Sequence, residues 1–185
     1  MQYLLVLFFF MLSVNNYAQD AHAVEYESNM PKCITSRPSD GNLALHVSDC
    51  MKGTQFSYFC VVDINNKEYC SDDFKGYHLL NYWFEECPPC KKEKPLLKNL
   101  SCDFPDLPVI SLSKDADTSF EDIKQEQLNW ICVDSYKDKE INNNGYGYPL
   151  TMLLNKDGKI EFLFLGGINE ERYELVYDFL KSKEN

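Results

Sequence analysis

Two cysteines separated by two prolines, Cys87-Pro88-Pro89-Cys90, are the side chains of this 185-residue sequence best suited to chemistry. They stand where an apolar run, residues 77–84, gives way to a helical stretch, residues 87–100. An i, i+3 spacing on a first helical turn brings two sulfurs within disulfide reach. The helix start supplies unpaired backbone N–H groups and the positive end of the dipole. Both stabilise a thiolate at Cys87 and lower its pKa from about 8.5. Pro88 and Pro89 suit the first helical positions, where no N–H is needed. The pair can therefore cycle between dithiol and disulfide, with Cys87 attacking and Cys90 resolving the mixed disulfide. The first cysteine is expected to face solvent and the second to point inward. A permanent structural disulfide is the competing reading. Zinc would require four ligands, and the sequence has no second C-x-x-C and no H-x₃₋₅-H. His22, His46 and His78 are scattered, so neither a metal nor a cofactor is expected.

The surrounding elements alternate in type. Residues 56–64 are rich in aromatic and β-branched side chains, Asn65-Asn66 makes a turn, and residues 67–71 complete a β-hairpin. Residues 77–84 form a nearly continuous apolar strand, as a strand covered on both faces should. Short strands are expected at 107–112 and 130–133. Between them Thr118-x-x-Glu121 reads as a capping box opening a helix to about Asn129. Residues 150–154 and 160–165, joined by Lys156-Asp157-Gly158-Lys159, form a second hairpin that ends at Gly166-Gly167. An amphipathic helix over 169–181 closes the chain, with Tyr173, Val176, Tyr177 and Leu180 on one face. Strands alternating with helices before a hairpin define an α/β class with a mixed central sheet.

Composition narrows the function. Lys and Arg total 18 against 29 Asp and Glu, a net charge of −11. Such a chain lacks the clustered cations that nucleic acid or anionic lipid would demand. Residues 3–12 are unbroken apolar or aromatic, too short for the ~20 of a membrane helix and suited to a signal-peptide core. We place the signal peptide at 1–18, with cleavage after Ala18 favoured slightly over Ala23; a short uncleaved anchor is the alternative. Residues 19–55 show no long periodic segment and read as an N-terminal extension, leaving 56–185 as the main domain. Eight cysteines suit an oxidising, extracytoplasmic compartment. Outside the motif, Cys33, Cys50, Cys60, Cys70, Cys102 and Cys132 allow 15 connectivities. Cys60 and Cys70 flank the first hairpin, Cys33 and Cys50 share the extension, and Cys132 reads as a buried thiol within a strand.

The run Phe74-Lys75-Gly76-Tyr77-His78-Leu79-Leu80-Asn81-Tyr82-Trp83, followed by Cys87-Pro88-Pro89-Cys90-Lys91-Lys92-Glu93-Lys94-Pro95, resembles the TlpA/ResA-type thioredoxin-like proteins. So do Gly147-Tyr148-Pro149-Leu150-Thr151, Leu153-Leu154-Asn155-Lys156-Asp157-Gly158-Lys159-Ile160 and the Gly166-Gly167 ending, in the same order. The resemblance spans residues 56–185. It implies a thioredoxin-like fold, a mixed sheet flanked by helices, with an added N-terminal β-hairpin. It implies an extracytoplasmic thiol–disulfide oxidoreductase that reduces exported proteins such as apocytochrome c. Protein disulfides would be its substrates and a membrane thiol its electron donor, and the protein would be a monomer. Pro149 matches the family's cis-proline, which faces the redox pair, and Tyr148 would border the substrate surface with Trp83 and Glu86. Glu93 matches an acidic residue one helical turn beyond Cys90, placed to exchange a proton with the resolving thiol. A solvated helix glutamate is the alternative. Asn81 stands where thioredoxin itself carries a buried acid, which shifts proton handling toward Glu93.

One departure bears on recognition. Glu86 precedes Cys87 where the family usually has Trp, placing an anion beside the nucleophile and raising its expected pKa. Two other functions compete. A thiol peroxidase-like enzyme would need Thr and Arg around a lone cysteine, and no Thr stands immediately before Cys87. A thioredoxin-fold binding module without catalysis would carry the fold alone. A copper carrier of that kind would need C-x-x-x-C and a later His, and no His follows His78.

Overall fold

A computed structural model describes residues 25–37, 39, 41–115, 120, 123–124, 128–135 and 145–184. The apolar core of the signal peptide, both cleavage candidates and the Thr118–Glu121 capping box lie outside the described residues.

Helix α1 covers residues 25–35 and α2 covers Leu43–Met51. The hairpin strands β1 (Cys60–Val62) and β2 (Glu68–Cys70) follow, then a short 3₁₀ turn at Ser71–Asp73. β3 (His78–Trp83) leads into α3 (Pro88–Asp103), then β4 (Val109–Ser113) and β5 (Ile131–Asp134). β6 (Leu150–Leu154), β7 (Ile160–Leu165) and α4 (Glu170–Lys181) complete the order. Five strands form one sheet in the order β5-β4-β3-β6-β7. β3, β4 and β5 are parallel, whereas β6 and β7 run antiparallel. β1 and β2 form a separate two-stranded sheet, the hairpin expected from the sequence.

Every residue of β3 and β4 is buried, so each strand serves two cores by alternation. Leu79 and Val109 point to one face, where Leu97, Leu100, Val176 and Leu180 bring α3 and α4 down on the sheet. Leu80, Tyr82, Ile110 and Leu112 point to the other, where they meet the hairpin and α1 and α2. Burying each such side chain stabilises the fold by about 1.5–3 kcal/mol.

The described part of the N-terminal extension differs from its expected lack of periodicity. Tyr26, Met30 and Cys33, spaced i, i+4, i+7, are buried on one face of α1. A stripe of only two turns among polar residues was too short to stand out. Asn42 caps α2, its side-chain oxygen accepting the Ala44 and Leu45 N–H groups. The Cys33–Cys50 disulfide ties α1 to α2, and Cys60–Cys70 closes the hairpin across directly paired positions. Cys102 and Cys132 carry no disulfide; Cys132 is buried and Cys102 exposed.

Candidate active site

β3 ends at Trp83, and four residues separate it from the start of α3 at Pro88. Cys87 is the N-cap of α3, and its sulfur accepts the Cys90 N–H at 3.2 Å. Pro88 and Pro89 occupy the first two helical positions, where orphan N–H groups are dispensable. Cys90 therefore supplies the first available amide of the turn to the sulfur. Cys87 and Cys90 are joined in a disulfide with Cα atoms 5.2 Å apart, inside the usual range.

Both cysteines are buried, Cys87 at 2% exposure and Cys90 at 4%. This differs from the expectation of a solvent-facing Cys87. They share an apolar cluster with Trp83, Phe120, Ile123 and Cys132, and Phe84 and Tyr148 pack against it. Phe120 and Ile123 come from a segment remote in sequence, so the covering could not be read from the motif. Burial also pushes the Cys132 thiol up to about 12, with Asp63 adding to the rise, which keeps it protonated.

Trp83 lies within this cluster, its indole N–H donating to Ser111 Oγ at 2.7 Å and its ring edge-on to Phe120. Glu86 is exposed and forms a 3.7 Å ion pair with Lys91, one turn along α3. That cation offsets part of the anion placed beside Cys87. Tyr148 stacks edge-on against Phe84 at 5.3 Å, and Lys114 Nζ lies 4.1 Å from the Phe84 centroid and 5.4 Å from that of Tyr148. Phe84 and Lys114 were absent from the sequence-derived site; an aromatic at the end of an apolar run and a lone lysine carry no spacing signal. The Tyr148–Pro149 bond is cis.

Glu93 sits one turn beyond Cys90 and is 1% exposed, unlike a solvated helix glutamate. Three donors converge on it. Asn81 Nδ2 donates to Oε2 at 3.0 Å, the Ile168 N–H donates to Oε1 at 2.7 Å, and the Thr151 hydroxyl donates to Oε1. Asn81 also donates to the Thr151 oxygen at 2.9 Å, which leaves the Thr151 proton to point at Glu93. Asn81 and Thr151 are register partners on β3 and β6, so the sheet fixes their spacing. A carboxylate has about four lone-pair sites; these bonds occupy three and leave one on Oε2. Burial pushes the Glu93 carboxyl above its ordinary value, while the Thr151, Ile168 and Asn81 donors and the nearby Arg172 charge pull it back. Thr151 gave a faint signal, as a lone polar residue inside an apolar strand.

The loop after β7 closes the site. Gly166 N–H donates to the Pro149 carbonyl at 2.9 Å. Gly167 has φ +76°, and a Cβ there would lie 2.5 Å from Pro149 Cγ and 2.7 Å from Glu93 Oε1. Only glycine admits this approach. Among the described residues no group of three or more His, Cys, Asp or Glu side chains could hold a metal ion.

A Cys-x-x-Cys disulfide at the start of a helix that follows a central strand, together with a cis-proline immediately before an antiparallel hairpin, is the arrangement of a thioredoxin-like protein. The solved thioredoxin domain of a thiol-disulfide oxidoreductase from Bacteroides vulgatus shares the fold, with TM-score 0.57 and 24% identity over 69% of this chain and 96% of that one. The thiol-disulfide oxidoreductase ResA of Bacillus thuringiensis strain Al Hakam is 30% identical over 128 residues, 66% of this chain and 74% of the relative. ResA of Bacillus thuringiensis subsp. konkukian is 31% identical over 138 residues, 70% and 76% of the two chains. No protein-family model matches the sequence. The chain belongs to the ResA family of thiol-disulfide oxidoreductases. Its class of substrate is accordingly the protein disulfide.

Proposed function

We propose that this enzyme works outside the cytoplasm and reduces disulfides of exported proteins, apocytochrome c among them, through Cys87 and Cys90. The observation that carries the reading is the buried, acceptor-only Glu93 one turn beyond a helix-capping disulfide. In the reduced enzyme the Cys87 thiolate attacks one sulfur of the substrate disulfide. That S–S bond breaks, a Cys87–substrate disulfide forms, and the other substrate sulfur leaves as a thiolate. Cys90 gives its proton to Glu93 and attacks Cys87 Sγ. The Cys87–substrate S–S bond breaks as the Cys87–Cys90 disulfide forms, and the substrate leaves having gained two electrons, its two thiolates taking up one proton from Glu93 and one from solvent. A membrane thiol donor returns the two electrons. Tyr148 and Glu86 border the docking surface, with Trp83 and Pro149 buried beneath it, and the enzyme acts as a monomer.

Residues 1–18 direct export, 19–55 extend the domain at its N-terminus, and 56–185 form the thioredoxin-like unit. The apolar run at 3–12 and the disulfides at Cys33–Cys50 and Cys60–Cys70 support the oxidising compartment. The test is a Cys90→Ala variant expressed in the native host. It should accumulate mixed disulfides with exported proteins, identified by mass. Partners confined to the cytoplasm would refute the compartment and the substrate class together.

A further inference from the structure

Arg172 is a half-buried cation on the first turn of α4, behind the loop that touches Glu93. Its Nη1 donates to the Leu165 carbonyl at 3.1 Å and to the Gly167 carbonyl. Its guanidinium lies 5.2 Å from the centre of the Phe164 ring. Two carbonyls and an aromatic face thus fix a planar group that no rotatable ammonium would match. The gripped peptide is the one that matters: Gly167 O is bonded to Arg172, and the next amide, Ile168 N–H, donates to Glu93 Oε1. Gly167 has no Cβ to hold this peptide away from the carboxylate.

We propose that Arg172 is a positioning residue for the redox pair: it clamps the Gly167–Ile168 peptide against Glu93 and places a positive charge behind the buried carboxylate that is to accept the Cys90 proton.

The groups facing Glu93 make the charge balance plain. β3 and β6 contribute neutral Asn81 and Thr151, and the loop contributes a backbone N–H. From α4 comes the Arg172 charge, itself sustained by Glu171 and by Glu93 against its burial. On α3 the titratable neighbour is Cys90 once reduced. Removing Arg172 leaves the burial penalty opposed only by dipoles. The Glu93 carboxyl then holds its proton to higher pH, and the proton acceptor is lost where it is needed.

This inference rests on Glu93 acting as the proton acceptor, and the two are separable by experiment. The full-length protein, labelled with ¹³C-glutamate, is titrated and the Glu93 carboxyl resonance is assigned by its loss in E93Q. R172Q should move the Glu93 midpoint to higher pH, and R172K should fall between R172Q and wild type. In parallel, the acid limb of the pH–rate profile for disulfide reduction should move upward in R172Q while the high-pH plateau persists. An unchanged Glu93 midpoint in R172Q overturns the proposal. An E93Q enzyme that keeps the wild-type acid limb refutes Glu93 as acceptor while leaving the R172Q midpoint to decide the clamp. Should R172Q fail to fold, the wild-type protein decides: the Ile168 amide and Arg172 guanidinium resonances must shift with the Glu93 midpoint, and resonances indifferent to it overturn the proposal.

Discussion

Gly167 and Glu93 touch: a single added carbon on residue 167 would lie 2.7 Å from the Glu93 carboxylate oxygen. The oxygen cannot retreat without breaking its bonds to the Thr151 hydroxyl and the Ile168 amide. The carbon would also lie 2.5 Å from Pro149 Cγ and demand a φ of +76° from a residue with a side chain. Gly167→Ala should therefore lower stability by about 1–3 kcal/mol. It should also slow disulfide reduction. Urea denaturation of the oxidised protein checks the first effect. A wild-type midpoint would mean the loop has room that this geometry denies.

The raised Glu93 pKa has a stability consequence with a definite sign. Below the ordinary carboxyl value of 4.5 the group is neutral in both folded and unfolded states. As pH rises from 4.5 through the higher folded value, the unfolded chain releases its proton first and the fold loses relative stability. Glu93→Gln removes this penalty. Its Nε2 must face one of the donors, a cost that does not vary with pH. The stability difference between Glu93→Gln and wild type should thus shift in favour of the variant as pH is raised above 4.5. Chemical denaturation at several pH values measures it, and a pH-independent difference would show that Glu93 titrates normally.

His78 works in the opposite direction. It is buried at the start of β3, stacked on Phe74 with ring centroids 4.7 Å apart, and its Nδ1 lies 3.3 Å from the Gly76 carbonyl. Burial lowers its pKa from 6.5 to about 4. A group held neutral in the fold stabilises it above 6.5 and loses that contribution as pH falls toward 4, because the unfolded chain takes up the proton first. The loss by pH 4 is up to about 3 kcal/mol. His78→Phe should flatten the stability profile between pH 6.5 and 4. An equally steep profile in the variant would assign the acid sensitivity to other groups.

Much of this arrangement is legible in the sequence. The cysteine motif, the two hairpins and the proline before β6 all rest on local signals: fixed spacing, turn residues and period-two alternation. What escaped notice depends on partners distant in sequence. Arg172 looks like one more solvated charge on an amphipathic helix until Leu165, Gly167 and Phe164 surround it. Cys87 looks exposed until Phe120 and Ile123 join its cluster. Helix α1 presents a stripe of only three buried side chains, and the Cys33–Cys50 link that anchors it was left open among 15 connectivities.

That link makes α1 a test of covalent support. Cys33 and Cys50 close a loop of sequence separation 17. Cross-linking a loop of this size restricts the unfolded chain by about 3 kcal/mol. Replacing both by Ala should cost about that much stability and leave disulfide-reducing activity intact, because α1 and α2 pack on the sheet face opposite α3. Loss of activity at full folding would connect the N-terminal helices to the redox pair.

The potential of the pair follows from how little stabilises its thiolate. A strongly oxidising pair, near −120 mV, owes that value to a stabilised reduced form. Here the Cys87 sulfur accepts one amide, that of Cys90, because Pro88 and Pro89 have no N–H to give. Glu86 adjoins it, though Lys91 at 3.7 Å offsets part of that charge. Glu93 lies one turn beyond Cys90, and burial of both cysteines penalises any anion. The helix N-terminus remains as the main favourable influence. Cys87 should therefore stay well above the most acidic thiols of this fold, with a potential nearer about −270 mV than −120 mV. Equilibration against a glutathione buffer measures it. Lys91→Glu, which turns an offsetting cation into a second anion, should make the value more negative still. A wild-type potential less negative than about −180 mV would reverse the assigned electron flow and make the enzyme an oxidant of its substrates.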